Sequence, residues 1–357
     1  MDKFLDPALE KLLDLAVQKG ASDLHLIAFS PPVLRINRRL YILDQEKEIS
    51  PKETEKFAFS LLNPLQQEIF LKEKEIDFSF DFKRNARFRT NIFFQKGTIS
   101  LALRLLRFEI KTISELNLPT TLLKFTEIKQ GFVLICGPAS HGKSTALAAL
   151  IEEINKKEAR HIITIEDPIE YLFEQKKSVI EQREVNSDTK SFVRALKSVF
   201  RQDPDVIMIG EMRDSETMSI ALRAAETGHL VFATLHTNSA AQTITRIVDS
   251  FPPSQQNQIR AQLADVLFGI ISLRLIPTLK IKTGLVPACE ILFNTPAVAN
   301  LIRENKIHEI PNIIETSAKL GMISLEKYLA ELIKKQIITL QEGQKYSLKP
   351  DLLKEMI

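Results

Sequence analysis

An apolar run ends at Cys136 and passes into Gly137-Pro138-Ala139-Ser140-His141-Gly142-Lys143-Ser144, after which the apolar residues take helical spacing. These eight residues fit G-x-x-x-x-G-K-[ST], the pattern of a phosphate-binding loop (P-loop) between a strand and a helix. Such a loop curls its backbone N–H groups around a nucleotide β-phosphate at the positive end of a helix dipole. Lys143 is expected to reach the β- and γ-phosphates and Ser144 to bind Mg²⁺. A glycine turn without a ligand is the alternative explanation.

The segments around this loop predict a parallel sheet. Short and nearly continuous apolar runs occupy residues 131–136, 161–165, 206–209 and 230–235. Unbroken runs of this length indicate strands that are covered on both faces, which is typical of parallel strands joined by crossover helices. Residues 144–155 and 191–201 have the helical spacing that such crossovers need.

Two of these strands are followed by acidic residues. Glu211 comes just after the run 206–209, and Glu166, Asp167 and Glu170 follow the run 161–165. Because ligands bind at the carboxyl ends of parallel strands, Glu211 is expected to hold Mg²⁺ directly or through water. The alternative for Glu211 is an ordinary surface glutamate. Three neighbouring carboxylates repel one another, which is unfavourable unless a cation binds there or one of them takes part in proton transfer.

Composition describes a globular chain and excludes several classes of protein. The chain has 357 residues, 44% of them apolar and 26% charged, and a net charge of +3, which gives no support for a polyanionic partner. Cys136 and Cys289 lie far apart and fit no metal spacing, so a reducing cytosolic compartment is expected. The first predicted helix carries acidic residues, whereas a signal peptide has a basic start and an uninterrupted apolar stretch, so no signal peptide is expected here. Residues 266–276 are interrupted by Arg274 and are shorter than the roughly 20 residues of a bilayer span.

Periodicity predicts four regions along the chain. Residues 1–108 read as an α+β sheet domain, with a capping box from Ser50 to Glu53 that opens a helix to about Leu62. Strands are expected over 76–82, 88–94 and 99–105. Residues 109–120 read as a linker, 121–293 as the P-loop domain and 294–357 as a helical region. Beyond about residue 251 the spacing is mostly helical, with one strand candidate at 285–293.

The motifs together resemble the secretion ATPases, and within that superfamily the PilT-type retraction ATPases of type IV pili. The resemblance implies a PAS-like N-terminal domain, a RecA-like ATPase domain and a helical C-terminal tail. It also implies that the substrate is ATP and that the loop 137–144, with Thr145, binds it. The matching segments are a Walker A motif at 137–145, an Asp box at 164–171, a Walker B motif at 209–214, a His box at 227–237 and terminal signatures at 20–26 and 300–304.

The resemblance assigns roles to individual residues. Glu170 matches the general base that aligns and deprotonates the attacking water, and Glu211 matches the Walker B acid. His229 matches the position that senses the γ-phosphate, and His236 lies at the far end of the same strand. A hydrogen-bonded strand terminus is the alternative for either histidine.

Three arginines of the first domain are candidates for contact with the transferred phosphoryl group. Fast hydrolysis needs more positive charge than one lysine and Mg²⁺ supply. Arg87, Arg89 and Arg104 lie on predicted strands, at positions that in the resembled family reach an ATP bound by the second domain. The resemblance to hexameric rings favours contact between subunits. The alternative is that these arginines lie on the solvent-exposed face of an antiparallel sheet and contact no nucleotide.

Two of the departures of the P-loop from the resembled family bear on its backbone conformation. Relatives read Gly-Pro-Thr-Gly-Ser-Gly-Lys, whereas Ser140 stands here in place of the middle glycine and His141 in place of the serine. If that backbone position needs a positive φ, a serine there is strained by about 1 kcal/mol. Residues 297–300 also lack an arginine of the C-terminal signature. These departures keep open a specialised paralogue that binds nucleotide but hydrolyses it slowly.

The sequence therefore predicts an ATP-hydrolysing ring motor that powers type IV pilus retraction and twitching motility. Such a motor is expected to be a cytoplasmic hexamer that is attached to the inner membrane through a pilus platform protein. A paralogous motor ATPase is a further candidate partner. Alternatives are the accessory paralogue and a pilus-assembly or type II secretion ATPase, although those relatives carry a tetracysteine zinc motif that this chain lacks. A nucleic-acid motor is disfavoured because no basic stretch is interleaved with aromatic residues.

Overall fold

The computed structural model describes residues 5–36, 39–83, 86–106, 109–279 and 284–357. Contacts group the chain into two compact units, Met1–Glu109 with Glu170–Leu172, and Ile110–Ile169 with Phe173–Ile357. The sequence places the first boundary after residue 108, one residue from the structural one. Residues 294–357 pack with the rest of the second unit, since Val298, Ile302 and Ile310 share its core.

The first unit is an antiparallel sheet with helices packed on one face. Its elements are α1 (Pro7–Gln18), β1 (Asp23–Ile27), β2 (Val33–Ile36), β3 (Arg39–Ile42), α2 (Pro51–Leu61), α3 (Pro64–Glu73), β4 (Glu75–Phe82), β5 (Ala86–Gln95) and β6 (Thr98–Leu106). The strand order is β3-β2-β1-β6-β5-β4. The predicted capping box is present, because Ser50 accepts from the Glu53 N–H and the Glu53 carboxylate accepts from the Ser50 N–H. Leu13, Phe57 and Phe88 are buried in the core of this unit.

The second unit is built on a mostly parallel sheet. Its sheet elements and crossovers are β7 (Gly131–Cys136), α4 (Lys143–Lys157), β8 (His161–Glu166), β9 (Val179–Glu184), α5 (Phe192–Val199), β10 (Val206–Ile209), α6 (Ser215–Glu226), β11 (Leu230–Leu235), α7 (Ala240–Asp249), α8 (Pro253–Val266), β12 (Leu267–Pro277) and β13 (Leu285–Phe293). The strand order is β13-β12-β7-β11-β10-β8-β9, and neighbours are parallel except for β12 and β13.

The burial of these strands confirms the predicted α/β class. Every residue of β7, β10 and β11 is buried, as expected for strands covered on both faces. The mostly helical reading beyond residue 251 is wrong over 267–277, where β12 pairs with β7 and β13. A buried strand and a buried helix cannot be told apart by periodicity when nearly every position is apolar.

The C-terminal region closes over one end of the sheet. It contains α9 (Pro296–Arg303), α10 (Ile310–Thr316), α11 (Leu325–Lys334), α12 (Leu340–Tyr346) and α13 (Pro350–Glu355), with short 3-10 helices at Ile307–Glu309 and Ala318–Leu320. Another 3-10 helix, Thr120–Phe125, precedes β7. Leu325, Leu329 and Leu353 pack on Ile276 and Val286 of the last two strands in a separate apolar cluster. Within the described ranges of the chain, no helix is long and apolar enough to cross a membrane.

Candidate nucleotide-binding site

The P-loop joins the carboxyl end of β7 to the first residue of α4. Gly137 has φ 145° and Gly142 has φ 84°, a region that favours glycine. A Cβ on Gly137 would lie 2.4 Å from the carbonyl oxygen of Leu273, so this position also lacks room for a side chain. The loop thus ends on the positive end of a helix of 15 residues, which is a suitable place for phosphate.

Lys143 is buried and holds the loop closed. Its Nζ donates to the carbonyl oxygens of Gly137 and Pro138, each at 2.9 Å, and lies 3.2 Å from Nδ1 of His236. The ammonium group is therefore at the centre of the loop. A phosphate bound there would meet a positive charge that has already been desolvated.

Glu211 completes a charged network with this lysine. His236 bridges the two, because its Nε2 lies 3.3 Å from one Glu211 oxygen while Arg213 donates to the other at 2.9 Å. Partial burial would raise the pKa of Glu211, but the Arg213 hydrogen bond and the charges of Arg213, His236 and Lys143 hold it below its ordinary value. Glu211 is therefore ionised at neutral pH.

Ser144 and Glu211 offer the oxygen atoms that Mg²⁺ prefers. Ser144 is the second residue of α4, and its hydroxyl makes no hydrogen bond to any residue in the described part of the chain. Glu211 follows β10 after one residue and is ionised, so it fits a hard divalent cation. The donor set of this edge is compatible with a metal ion bound together with a nucleotide.

His229 does not lie at this edge of the sheet. It precedes β11, its Nδ1 is 2.9 Å from the Ala224 carbonyl oxygen, and its ring packs edge-on against Phe200 at 5.9 Å. The six residues of β11 separate His229 from His236 by roughly 20 Å. His229 therefore lies away from the P-loop of its own chain, and its role as a sensor of the γ-phosphate stays a prediction. His236 is the histidine beside that loop, and its position just after a parallel strand could have indicated this.

The acidic residues after β8 take separate positions. Glu166 is buried and accepts hydrogen bonds from Thr164 Oγ1 at 2.7 Å and from Gln182 Nε2 at 3.2 Å. Glu170 is exposed and belongs to the segment 170–172 that groups with the first unit. Its role as a general base stays a prediction.

The three predicted arginines lie on one face of the first unit's sheet. Arg89 of β5 is directly opposite Arg104 of β6, and Arg87 lies two residues from Arg89 on the same strand. Arg87 pairs with Asp81 at 2.8 Å and Arg104 with Asp23 at 2.9 Å. Arg89 and Arg104 carry like charges and face each other, so they repel. An anion bound at this row would relieve the repulsion. Contact between these arginines and a nucleotide stays a prediction.

The departures at Ser140 and His141 have distinct structural effects. Ser140 adopts φ 63°, so the strain expected for serine at this position is present. Nδ1 of His141 accepts a hydrogen bond from the Leu275 N–H at 2.9 Å. Ala139 and Ser140 are exposed, and Thr145 lies half-buried in the first turn of α4.

The loop that carries His236 is held by residues that the sequence analysis did not identify. Arg274 donates to the side-chain oxygen of Asn238 at 3.1 Å and to its carbonyl oxygen at 3.3 Å, and Ser272 donates to the same carbonyl. Glu290 accepts from the Ala240 N–H at 2.6 Å, and burial raises its pKa to about 7. Ser272 and Arg274 were not predicted because β12 reads as helical, although Arg274 is a lone charge in an apolar run and could have indicated a buried polar contact.

Comparisons with known proteins agree with this geometry. A family model described as "Type II/IV secretion system protein" matches residues 1–305. The chain is 41% identical over 346 residues to "Type IV pilus retractation ATPase PilT" of Pseudomonas aeruginosa, which covers 96% of this chain and 99% of that protein. It is 43% identical over 315 residues to "Twitching motility protein" of Neisseria gonorrhoeae, covering 87% and 83%. The crystal structure of the pilus retraction motor PilT with bound ADP superposes with a TM-score of 0.91 at 44% identity, covering 97% of this chain and 99% of that one.

Proposed function

This chain belongs to the type II/IV secretion system protein family, and we propose that it is an ATPase that powers the retraction of type IV pili. The observation that carries the proposal is the network of Lys143, His236 and Glu211 at the carboxyl edge of three adjacent parallel strands. The similarity to PilT over nearly the whole chain supports retraction as the task.

In the proposed reaction, the amides of the loop 137–144 bind the phosphates of ATP. Lys143 exchanges its two carbonyl contacts for phosphate oxygens at little desolvation cost, because it is already buried. Ser144 and Glu211 would hold Mg²⁺, which neutralises charge on the phosphate oxygens. Glu170 aligns the attacking water and accepts its proton, as in the resembled family.

His236 is placed to report the state of the nucleotide. It contacts both Lys143 and Glu211, so a shift of either side chain toward phosphate changes the partners of the imidazole. The loop 236–240 runs from this histidine directly into α7. Loss of the γ-phosphate can therefore be passed to α7 through one short segment.

The proposed assembly is a homohexameric ring in the cytoplasm, attached to the inner membrane through a platform protein of the pilus. In this ring, Arg87, Arg89 and Arg104 of one subunit would approach the nucleotide of the next. The unpaired state of Arg89 among the described residues supports such a role, since a neighbouring phosphate would relieve its repulsion from Arg104.

A second candidate is an accessory subunit that binds nucleotide but hydrolyses little of it. The observation that favours it is the strained P-loop, in which Ser140 adopts a left-handed conformation. A small distortion of the loop can leave binding intact and still reduce turnover, because catalysis depends on alignment more strictly than binding does.

Phosphate release by the purified full chain with Mg²⁺ and ATP tests both candidates. We expect Lys143→Ala to abolish release and Glu170→Gln to lower it by about 100-fold or more. Lys157→Ala is the matched control, because Lys157 lies at the other end of α4 and pairs with Glu153 at the surface. Tight ADP binding without hydrolysis by the wild type would favour the accessory subunit. Absence of nucleotide binding would refute both.

A further inference from the structure

The edge of β12 extends beyond β7 and supports the P-loop. The two strands are parallel and pair as far as Ser272 and Cys136. There β7 ends, whereas β12 continues to Pro277 with the P-loop beside it. The backbone groups of Leu273 and Leu275 on this edge, which we term the loop support, therefore face the loop instead of another strand.

The P-loop touches the loop support at both ends. At its start, Gly137 lies so close to the Leu273 carbonyl that an added Cβ would be 2.4 Å from the oxygen. Near its end, Nδ1 of His141 accepts the Leu275 N–H at 2.9 Å, and the Leu275 side chain lies 3.4 Å from a Cβ built on Gly142. The imidazole thus takes the place of the strand partner that the Leu275 N–H would otherwise have.

His141 directly follows the strained residue of the loop. Ser140 adopts φ 63°, which a glycine accepts at no steric cost and a serine does not. The loop is consequently less stable in this conformation than a loop with glycine at the same position. A hydrogen bond one residue away, to a rigid strand, opposes that tendency.

We propose that His141 is a positioning residue of the nucleotide site, which holds the P-loop on β12 in its phosphate-binding conformation against the strain at Ser140. The inference rests on the proposed nucleotide binding. Ser140 and His141 then form a compensating pair, in which the histidine offsets the effect of the serine.

The charges around the imidazole are consistent with its role as an acceptor. An Nδ1 that accepts a hydrogen bond carries no proton, so the ring must be neutral with its proton on Nε2. The groups that face it are Arg274 of β12, Lys143 of α4 and the ring of Tyr346 in α12, whose centroid is 6.1 Å away. Burial and the two positive charges lower the pKa of His141, so the neutral form is present at neutral pH.

Calorimetric titration of the full chain with ADP and Mg²⁺ at pH 7.5 tests this role. His141→Ala removes the acceptor and is expected to weaken ADP binding about tenfold, since the Leu275 N–H loses its partner. His141→Asn keeps an oxygen near the place of Nδ1 and is expected to stay within about threefold of the wild type. His308→Ala removes an exposed histidine elsewhere in the same unit and serves as the matched control.

The link to Ser140 is tested by a double-mutant cycle. In a Ser140→Gly background, His141→Ala is expected to cost at most about threefold, because the strain that the hydrogen bond opposes has been removed. An equal tenfold loss in both backgrounds would overturn the compensation. Wild-type affinity in His141→Ala, or a loss in His141→Asn as large as that in His141→Ala, would overturn the positioning role.

His141→Phe keeps the test decisive if His141→Ala does not fold. Phenylalanine keeps an aromatic ring but has no acceptor for the Leu275 N–H, so this variant is expected to weaken ADP binding about tenfold, whereas His141→Asn stays within about threefold of the wild type. Equal affinities of His141→Phe and His141→Asn would refute the inference. If the wild type binds no ADP, the proposed function itself fails, which distinguishes the two failures.

Discussion

Replacing Arg274 with methionine removes the guanidinium group and keeps most of the buried stem. Arg274 is 6% exposed and binds the two oxygens of Asn238 at 3.1 and 3.3 Å. Two hydrogen bonds from a cation at these rather long distances contribute about 3 kcal/mol together. The buried Nε–H has no hydrogen-bond partner among the described residues, and its removal returns about 1 kcal/mol. The net loss is about 2 kcal/mol, which lowers the Tm by roughly 4–8 °C in a unit of this size.

Thermal unfolding of the full chain measures this change, and Arg246→Met is the matched control because Arg246 is exposed on α7. Since Asn238 lies two residues after His236, we also expect slower ATP hydrolysis by Arg274→Met than by the control. Equal Tm values for Arg274→Met and Arg246→Met would show that the Asn238 contacts contribute no stability. Unchanged hydrolysis would show that they do not position His236.

Two further changes address the same region. Burial raises the pKa of Glu290 to about 7, so the folded chain binds a proton that the unfolded chain has released, and stability falls as pH rises from about 4.5 to 7. Glu290→Gln keeps the acceptor for the Ala240 N–H but cannot titrate. In chemical denaturation, its free energy of unfolding relative to the wild type should increase with pH by up to about 1.4 kcal/mol per pH unit. A difference that does not change with pH would contradict this. His236→Ala should lower phosphate release more steeply than His229→Ala, because His236 contacts Lys143 and Glu211, and the reverse order would favour His229 as the sensing residue.

Much of the fold could be predicted because the local pattern and the tertiary environment agree. The strand β7 and its neighbours are continuous apolar runs bounded by turn residues, and the helix α2 begins at a complete capping box. By contrast, the polar strand β9 has only one buried neighbour and reads Val-Ile-Glu-Gln-Arg-Glu, so its parallel pairing with β8 decides its conformation. The mostly apolar strand β12 is ambiguous for the opposite reason, since its apolar residues show no clear period.

Some features of the candidate site depend on local sequence and could be predicted, whereas others depend on contacts between distant segments. The P-loop, the glutamate after β10 and the family could be predicted from the amino-acid sequence, because the spacing of a phosphate loop between a strand and a helix is a local property of a few residues. The choice of His236 over His229 depends on which end of β11 meets the loop. The hydrogen bond from Leu275 to His141 joins residues 134 positions apart, and Arg274 holds Asn238 across 36 positions. Only the folded sheet brings these groups together, because strand order and register are set by the burial of the whole core and not by any segment alone.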